Sequence, residues 1–285
     1  MSLRDLRSLL FLPATSPHLL EKATQRGADA IIVDLEDAVP LDRKDEARRM
    51  AIDAVRQLKQ QGARVVLRVN APPAMLSADL AAAPLEAIDA VMLPKAESAE
   101  QVRDLDAQFS RLAPQAMHVR IVPLIESARG LLACERIADA SSRVCALGFG
   151  AEDYAAEMSV VPEPETLAWP AQYVTTCARA FDLACWGLPG SVAEVSDMDR
   201  FAALVRRARG IGFTGSVCIH PRQVPVVNAG FGPTTAELVW AQRVVDADTI
   251  AHREGKGAVL LDGRMIDRPI VARAARWLAM RDERS

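Results

Sequence analysis

The chain has 285 residues, half of them hydrophobic and a quarter charged, which excludes a disordered, collagen-like or low-complexity protein. Its 34 basic and 37 acidic side chains leave a net charge of −3, and no basic tract stands out, so neither a nucleic acid nor an anionic membrane is expected as a partner. This length suits one large α/β domain, whose core needs no disulfide or structural metal.

The cysteines and the N-terminal segment favour a cytoplasmic protein. Five cysteines is an odd number and none of them forms a CxxC motif, so we expect reduced thiols that lie mostly in the core. The apolar stretch near the N-terminus contains Pro13 and is too short to span a membrane. A longer apolar region and a clear small-residue cleavage site, which a signal peptide needs, are not evident.

Short apolar runs alternate with helical stretches along the chain. Each run is continuously apolar, as in parallel strands that are buried on both faces. The runs cover 8–14, 30–36, 64–70, 90–95, 120–126, 143–150, 190–195 and 216–221. The predicted helices that separate or follow them cover 17–26, 41–61, 98–112, 127–139, 166–185, 197–209 and 222–229.

Eight such units within about 230 residues predict a (β/α)8 TIM barrel. A doubly wound open sheet is the alternative, but it usually carries a glycine-rich phosphate turn, and neither GxGxxG nor GxxxxGK occurs here. Two further helices are predicted at 234–254 and 268–281, on either side of a polar, glycine-containing segment. We therefore divide the chain into a catalytic barrel, 1–232, and a C-terminal helical extension, 233–285, that acts as a lid or an oligomer contact.

Polar residues end most of the predicted strands, where the catalytic groups of a TIM barrel lie. They are rich in carboxylates, with one arginine, one lysine and one histidine. The set comprises Asp34, Glu36, Asp37, Arg68, Asn70, Lys95, Glu97, Glu126, Glu152, Asp153 and His220. It contains no plausible Ser/His/Asp array and no Cys/His zinc spacing.

Carboxylates from different strands, without thiolates, suit a hard cation such as Mg²⁺. Glu126 and Asp153 are separated by one βαβ unit; the alternative is that these acids cap helices or form ion pairs at the rim. Arg68 can bind a substrate carboxylate with its forked guanidinium, or it can form a structural ion pair with Asp34 or Glu36. Lys95 can bind phosphate or pair with an acid at the rim, and a Schiff-base role is less favoured.

Several segments together resemble the citrate lyase β-subunit-like group of the metal-dependent keto-acid aldolases. Each segment is weakly specific, but their order along nearly the whole chain is highly specific. The segments are RSLLFLPATSP, GADAIIVDLEDAV, RVN, VMLPKAES, PLIESARGL, LGFGAEDYAAE, GFTGSVCIHPRQVPVVN and LLDGRMIDRPIVARA.

The resemblance implies a TIM barrel that assembles as a homotrimer or hexamer. It also implies a lyase that cleaves or forms the carbon–carbon bond of a citryl-, malyl- or citramalyl-CoA type thioester. The implied products are acetyl-CoA and a 2-oxo acid such as oxaloacetate, pyruvate or glyoxylate. The implied cofactor is Mg²⁺, for which Mn²⁺ can substitute.

The resemblance also suggests roles for individual residues. Glu126 and Asp153 match the Mg²⁺ ligands, and Arg68 matches the arginine that binds the keto-acid carboxylate. Glu36 and Asp37 match acids near the metal waters, and Asp267 matches an acid–base aspartate on a C-terminal lid that reaches a neighbouring subunit. We also expect four residues near the rim to contact the substrate: Lys95, Gly150, Ala151 and Glu152.

Departures from the family pattern leave the thioester open. Many relatives have PGNRP after the first strand, but this chain has PATSP, so Ser16 replaces an arginine that can contact CoA phosphate. The alternatives are a β subunit that acts on an acyl-carrier-protein thioester within a complex, an acyl-CoA thioesterase, and a pyruvate-type aldolase. The aldolase branch typically has Glu-His where this chain has Glu36-Asp37, so its aldol base is missing.

Overall fold

A computed structural model describes residues 2–253 and 259–282. The chain divides into two units, which we call the barrel unit, residues 2–231, and the C-terminal unit, from residue 232 onward. No helix among the described residues is long and apolar enough to cross a membrane.

The barrel unit contains one sheet of eight parallel strands. The strands are β1 (Ser8–Pro13), β2 (Ala30–Asp34), β3 (Val65–Arg68), β4 (Ala90–Leu93), β5 (Arg120–Ile125), β6 (Ala146–Phe149), β7 (Ala184–Gly187) and β8 (Ser216–Cys218). Strands β1 to β7 pair in chain order, and β8 pairs with β1. A parallel bridge between Trp186 and Gly215 connects β7 to the segment before β8, which confirms the predicted (β/α)8 barrel.

Helices connect the strands. They are α1 (Pro17–Leu20), α2 (Lys44–Gln60), α3 (Pro73–Ala82), α4 (Ala99–Leu112), α5 (Ala128–Ala138), α6 (Ala151–Glu157), α7 (Pro164–Ala180), α8 (Met198–Ile211) and α9 (Gln223–Gly230). Helices α3 and α6 are additions to the predicted set. The predicted helix 17–26 is interrupted, because α1 ends at Leu20 and a separate 3₁₀ turn covers Thr24–Arg26.

The predicted seventh strand, 190–195, is wrong. These residues lie in a loop, and the strand is instead β7, which overlaps the end of a predicted helix. Helix α7 ends at Ala180, and Asp182 adopts a left-handed backbone with φ of 53°, which stops the helix before the buried residues Ala184, Cys185 and Trp186. An aspartate is a weaker stop signal than glycine in sequence, which is why the prediction continued the helix.

Alternation along the strands separates two apolar cores. One lies inside the barrel and includes Leu9, Ile32, Val66 and Trp186, and the other lies between the strands and the helices. Since side chains on a strand alternate between its two faces, residues two positions beyond the interior ones also point inward. Asp34, Arg68 and Glu126 occupy such positions after Ile32, Val66 and Leu124. All five cysteines are buried and unpaired.

The described residues of the C-terminal unit form two helices and a hairpin. Helix α10 (Thr235–Arg253) and helix α11 (Arg268–Asp282) match the two predicted C-terminal helices, and β9 (Val259–Leu261) pairs antiparallel with β10 (Arg264–Ile266). The hairpin turns at Asp262-Gly263, where both residues have positive φ, as an Asp-Gly turn favours. Residues 254–258 of the predicted polar segment lie outside the described residues.

Candidate active site

A cavity of about 450 Å³ opens at the carboxyl ends of the barrel strands. Its base is apolar and is formed by inward-facing side chains, among them Phe11, Met92, Leu124 and Trp186. Its charged wall is formed by Asp34, Asp37, Arg68, Glu126, Glu152 and Asp153. The cavity is therefore strongly acidic, with one permanently charged cation among its lining residues.

Arg68 is held from two sides at the end of β3. Its Nε and Nη2 atoms each donate a 2.7 Å hydrogen bond to the two carboxylate oxygens of Asp34. Its Nη1 atom lies 3.0 Å from Glu36 Oε2 and 3.2 Å from Asp37 Oδ2, and the Phe11 ring stacks below the guanidinium at 4.6 Å. The structural ion pair with Asp34 is therefore present, while Arg68 also lines the cavity with only 11% of its side chain exposed.

Asp34 also folds the loop that follows β2. Its Oδ1 accepts a hydrogen bond from the Glu36 backbone N–H at 2.9 Å, and its Oδ2 accepts one from the Ala38 N–H at 3.2 Å. One buried carboxylate thus fixes both Arg68 and the backbone that carries Glu36 and Asp37. With 1% exposure, it is among the least accessible charged groups of the barrel unit.

Glu36 is a buried carboxylate with an unsatisfied oxygen. Its Oε1 lies 3.4 Å from Lys95 Nζ, whereas its Oε2 accepts no hydrogen bond from the residues that the structure describes, although Arg68 Nη1 is 3.0 Å away. Burial raises the pKa of Glu36 to about 6, against the opposing effect of Arg68. An orphaned buried oxygen of this kind is suited to accept a hydrogen bond from a ligand or a bound water.

Glu126 lies at the end of β5 and is 5% exposed. Its Oε2 accepts a 2.9 Å hydrogen bond from the backbone N–H of Lys95, a residue with a left-handed φ of 50°. Burial, followed by the neighbouring charges of Asp153 and Glu36, raises the pKa of Glu126 to about 7. The strained backbone of Lys95 is therefore used to aim a donor at this carboxylate.

Gly150 makes room for the Glu126 side chain. A Cβ at position 150 would lie 2.6 Å from both Cγ and Oε1 of Glu126. Gly150 precedes α6, whose first turn carries Glu152 and Asp153 into the cavity wall, where acidic groups also complement the helix dipole. Only glycine allows the two acidic elements to approach this closely.

We expect Gly150→Ala to lower the free energy of unfolding by about 1–3 kcal/mol, because the added methyl group must displace the buried Glu126 carboxylate. Urea unfolding monitored by circular dichroism measures this. Gly210→Ala is the matched control: Gly210 lies in α8, where an added methyl group would meet open space, so this change should stabilise the chain by about 0.5–1 kcal/mol. Equal effects of the two substitutions would contradict the packing argument.

The carboxylates provide oxygen ligands for a hard cation, but not a closed cage. Among residues 2–253 and 259–282, no three His, Cys, Asp or Glu side chains are grouped so that they could hold a metal ion. Glu126 and Asp153 both line the cavity, and an ion bound to this pair would take its other ligands from water or substrate.

Other predicted site residues have structural contacts. Asn70 is buried and donates hydrogen bonds to Leu35 O and Asp79 Oδ2. Glu97 accepts a 2.8 Å hydrogen bond from Ser127 Oγ, and exposed His220 accepts one from the Arg222 backbone N–H. None of these three side chains lines the cavity, so their expected positions at the site are not what the structure shows.

Lys95, Ala151, Glu152 and Asp267 complete the predicted set. Lys95 contacts the site through Glu36 and Glu126, and Ala151 and Glu152 line the cavity, where Glu152 also accepts a hydrogen bond from Ser191. Asp267 belongs to the C-terminal unit, where its exposed carboxylate accepts a hydrogen bond from Ile270 N–H at the start of α11.

The sequence prediction missed the apolar base of the cavity. Phe11, Met92 and Leu124 each lie at an inward-facing strand position, so alternation along the strands would have found them. Trp186 was missed because its strand overlaps a predicted helix. These residues exclude water from the side of Arg68 and Glu126 that faces the barrel interior.

Comparisons with known proteins agree with this architecture. A family model described as HpcH/HpaI aldolase/citrate lyase matches residues 7–221. The chain is 31% identical over 281 residues to the citrate lyase subunit beta of Leuconostoc mesenteroides subsp. cremoris, covering 96% of this chain and 92% of that protein. It is 29% identical to the human mitochondrial citramalyl-CoA lyase, covering 94% of this chain and 83% of that protein.

A solved structure is similar over the whole length. It is the protein CitE of Mycobacterium tuberculosis in complex with magnesium, acetoacetate and coenzyme A, with a TM-score of 0.78 and 30% sequence identity. The match covers 98% of this chain and 99% of that one. This chain belongs to the HpcH/HpaI aldolase/citrate lyase family.

Proposed function

We propose that this chain is a Mg²⁺-dependent carbon–carbon lyase. Its substrate is a 3-hydroxyacyl-CoA thioester of the citryl-, malyl- or citramalyl-CoA type, and its products are acetyl-CoA and a 2-oxo acid. The observation that carries the proposal is one cavity that combines two carboxylates from neighbouring strand ends, Glu126 and Asp153, with the oriented guanidinium of Arg68. The family membership and the names of the relatives support the same class of reaction.

The residues present fit a magnesium ion. Glu126 and Asp153 would hold it, and Mg²⁺ typically takes one or two protein carboxylates and keeps several waters. The unsatisfied Oε2 of Glu36 supports this fit, because it can accept a hydrogen bond from such a water. When bound, the ion would supply a Lewis acid that stabilises negative charge on the substrate oxygens.

Arg68 would orient the substrate. Asp34 occupies Nε and one edge of Nη2, so the fork is rigid and the donors that face the cavity can bind the carboxylate of the 2-oxo acid. Glu36 and Asp37 would hold the opposite edge of the guanidinium and accept hydrogen bonds from waters around the ion. Lys95 would hold Glu126 in place through its backbone N–H and balance Glu36 with its ammonium group.

The cleavage requires three coordinated events. The 3-hydroxyl group of the substrate loses a proton, the bond between C2 and C3 breaks, and the thioester enolate that leaves is protonated on carbon. The apolar base around Phe11, Met92 and Trp186 keeps water away from the reacting carbons. We propose that Asp267 of a neighbouring subunit is the acid that protonates the enolate, as the family resemblance implies.

Asp267→Asn tests this role with little change to the fold. Asparagine retains the side-chain acceptor that Ile270 N–H uses at the start of α11, whereas Asp267→Ala removes it and should cost about 1 kcal/mol of helix stability. Both variants are expected to lose turnover by about 100-fold or more while Mg²⁺ and 2-oxo acid binding persist. Turnover of Asp267→Asn within a few-fold of the unsubstituted enzyme would reject the role.

In the decisive experiment, the purified protein is incubated with citryl-, malyl- or citramalyl-CoA, with Mg²⁺ or with EDTA, and both reaction products are measured. Equal amounts of 2-oxo acid and acetyl-CoA, formed only with the metal, support the lyase. Free CoA thiol without 2-oxo acid would indicate the thioesterase. Turnover only of acyl-carrier-protein thioesters would indicate a complex subunit, and turnover of free hydroxy-oxo acids would indicate an aldolase.

We further propose that the chain works in the cytoplasm as a homotrimer or hexamer, as the family resemblance implies. Multi-angle light scattering of the purified protein at several concentrations measures the mass directly. A constant monomer mass of about 31 kDa would reject the oligomer.

A further inference from the structure

A second cavity lies at the opposite end of the barrel from the candidate active site. Its volume is about 470 Å³, and the residues that line it sit before or at the amino ends of the strands. Arg64 precedes β3 and Arg120 is the first residue of β5, while Arg4 comes from the 3₁₀ turn before β1. His118, from the loop before β5, also lines it.

The strand register directs two of these arginines toward the barrel axis. Val66 and Val122 belong to the interior core, and Arg64 and Arg120 come two residues before them on the same strand faces. Arg64 and Arg120 thus lie on the interior faces of β3 and β5 at the amino ends of these strands, as Arg68 and Glu126 do at the carboxyl ends. Guanidinium groups from separate segments therefore converge on one cavity.

The acids around this cavity compensate these charges only in part. Asp89 is the single carboxylate among the lining residues, and its Oδ2 already accepts hydrogen bonds from Lys59 Nζ at 2.9 Å and Val65 N at 2.7 Å. Its Oδ1 lies 3.7 Å from Arg64 Nη1. One carboxylate is therefore shared by two cations.

The other two arginines that line the cavity have a neutral partner or an exposed one. Arg120 donates only a 3.3 Å hydrogen bond to Ser142 O and has no carboxylate at ion-pair distance within the described part of the chain. Arg4 pairs with Asp182, but that carboxylate is 82% exposed, so solvent screens the pair and it opens at little cost. The cavity is thus a local positive site on a chain whose net charge is −3.

We propose that this cavity binds a phosphate-type anion with two or more negative charges, either as an inorganic anion or as the phosphoryl group of a larger metabolite. Planar guanidiniums match the oxygens of phosphate with paired hydrogen bonds, and several of them around one cavity suit a doubly charged group better than a carboxylate. The site is distinct from the catalytic cavity, which is acidic. The inference does not depend on the proposed lyase activity.

Isothermal titration of the full-length, metal-free protein with inorganic pyrophosphate tests the site. EDTA is present so that the probe cannot bind through a metal, and chloride keeps the ionic strength constant. Pyrophosphate should bind at one site per chain, and Arg120→Gln should weaken binding at least tenfold. Adenosine monophosphate in a parallel titration distinguishes a site for small inorganic anions from one that also accepts a larger phosphoryl ligand.

Arg103→Gln is the control with the same change in charge. Arg103 is exposed on α4, pairs with Glu100 and does not line the cavity, so pyrophosphate affinity should stay within twofold. Absence of saturable binding would overturn the proposal, as would equal weakening by both substitutions or unchanged affinity in Arg120→Gln. Lyase turnover without phosphate should be the same in all three proteins, so a failure here is separable from a failure of the proposed function.

Discussion

Glu126→Gln is expected to reduce lyase turnover by about 10³-fold while the chain remains folded. Glutamine has nearly the same shape as glutamate, and its carbonyl oxygen can still accept the hydrogen bond from Lys95 N–H. It lacks the negative charge that would hold the metal, and the Lewis-acid stabilisation of the substrate oxygens would be lost with it. Initial rates at saturating Mg²⁺ and isothermal titration with Mg²⁺ measure the two consequences separately.

The stability of this variant provides an independent check. The pKa of Glu126 rises from 4.5 to about 7 in the metal-free fold. Its contribution to the free energy of unfolding is therefore complete below pH 4.5, where the carboxyl group is protonated, and is lost as the pH rises through 7. At pH 8 the neutral glutamine should therefore unfold at the same or a higher urea concentration, with a gain of up to about 3 kcal/mol. Loss of activity together with loss of stability would contradict this account.

Glu97→Gln is the matched control for the same chemical change. Glu97 follows β4, but its carboxylate accepts a hydrogen bond from Ser127 and does not line the cavity. We expect turnover within a few-fold of the unsubstituted enzyme. Turnover of Glu126→Gln within tenfold of the parent enzyme would mean that Glu126 is not a metal ligand. A large loss in Glu97→Gln would mean that the loss in Glu126→Gln is not specific to the cavity.

The barrel and much of its charged rim could be predicted from sequence because both depend on local patterns. Continuous apolar runs mark strands buried on both faces, and the residue type at the end of each run identifies a rim position. Asp34, Arg68 and Glu126 were found in this way, and the structure brings all three to one cavity. The family resemblance added roles that the pattern alone left open.

What sequence could not supply was contact between distant residues. Asn70 and His220 end predicted strands just as Arg68 does, but local hydrogen bonds turn their side chains to other partners. The interaction of Lys95 N–H with Glu126 depends on one left-handed backbone angle, and no pattern of residue types encodes it. The position of β7 was missed for a similar reason, because the helix stop at Asp182 is conformational.

Asp34→Asn should lower kcat/KM by roughly 100-fold, mainly through a weaker affinity for the 2-oxo acid. An amide presents only one oxygen to a guanidinium that now donates two 2.7 Å hydrogen bonds, and the NH₂ group of that amide would face a like donor. Arg68 would then turn toward Glu36 and Asp37 and lose the orientation that its two hydrogen bonds to Asp34 now set. The dissociation constant of the 2-oxo acid, kcat and KM measure this displacement.

Asp37→Asn separates the positioning of Arg68 from the effect of charge, because it also removes one carboxylate charge beside the same guanidinium. The Asp37 carboxylate is 58% exposed and makes one 3.2 Å contact with Arg68, so its loss should change kcat/KM only a few-fold. Asp34 also holds the backbone of the β2 loop, so Asp34→Asn should destabilise the fold; thermal unfolding establishes the folded fraction to which the rates are normalised. If the two variants bind the 2-oxo acid equally after that correction, the ion pair between Asp34 and Arg68 stabilises the barrel and does not position the substrate. If only Asp34→Asn loses binding of the 2-oxo acid, Asp34 orients the arginine that binds the substrate, although Asp34 itself is buried and does not contact the substrate.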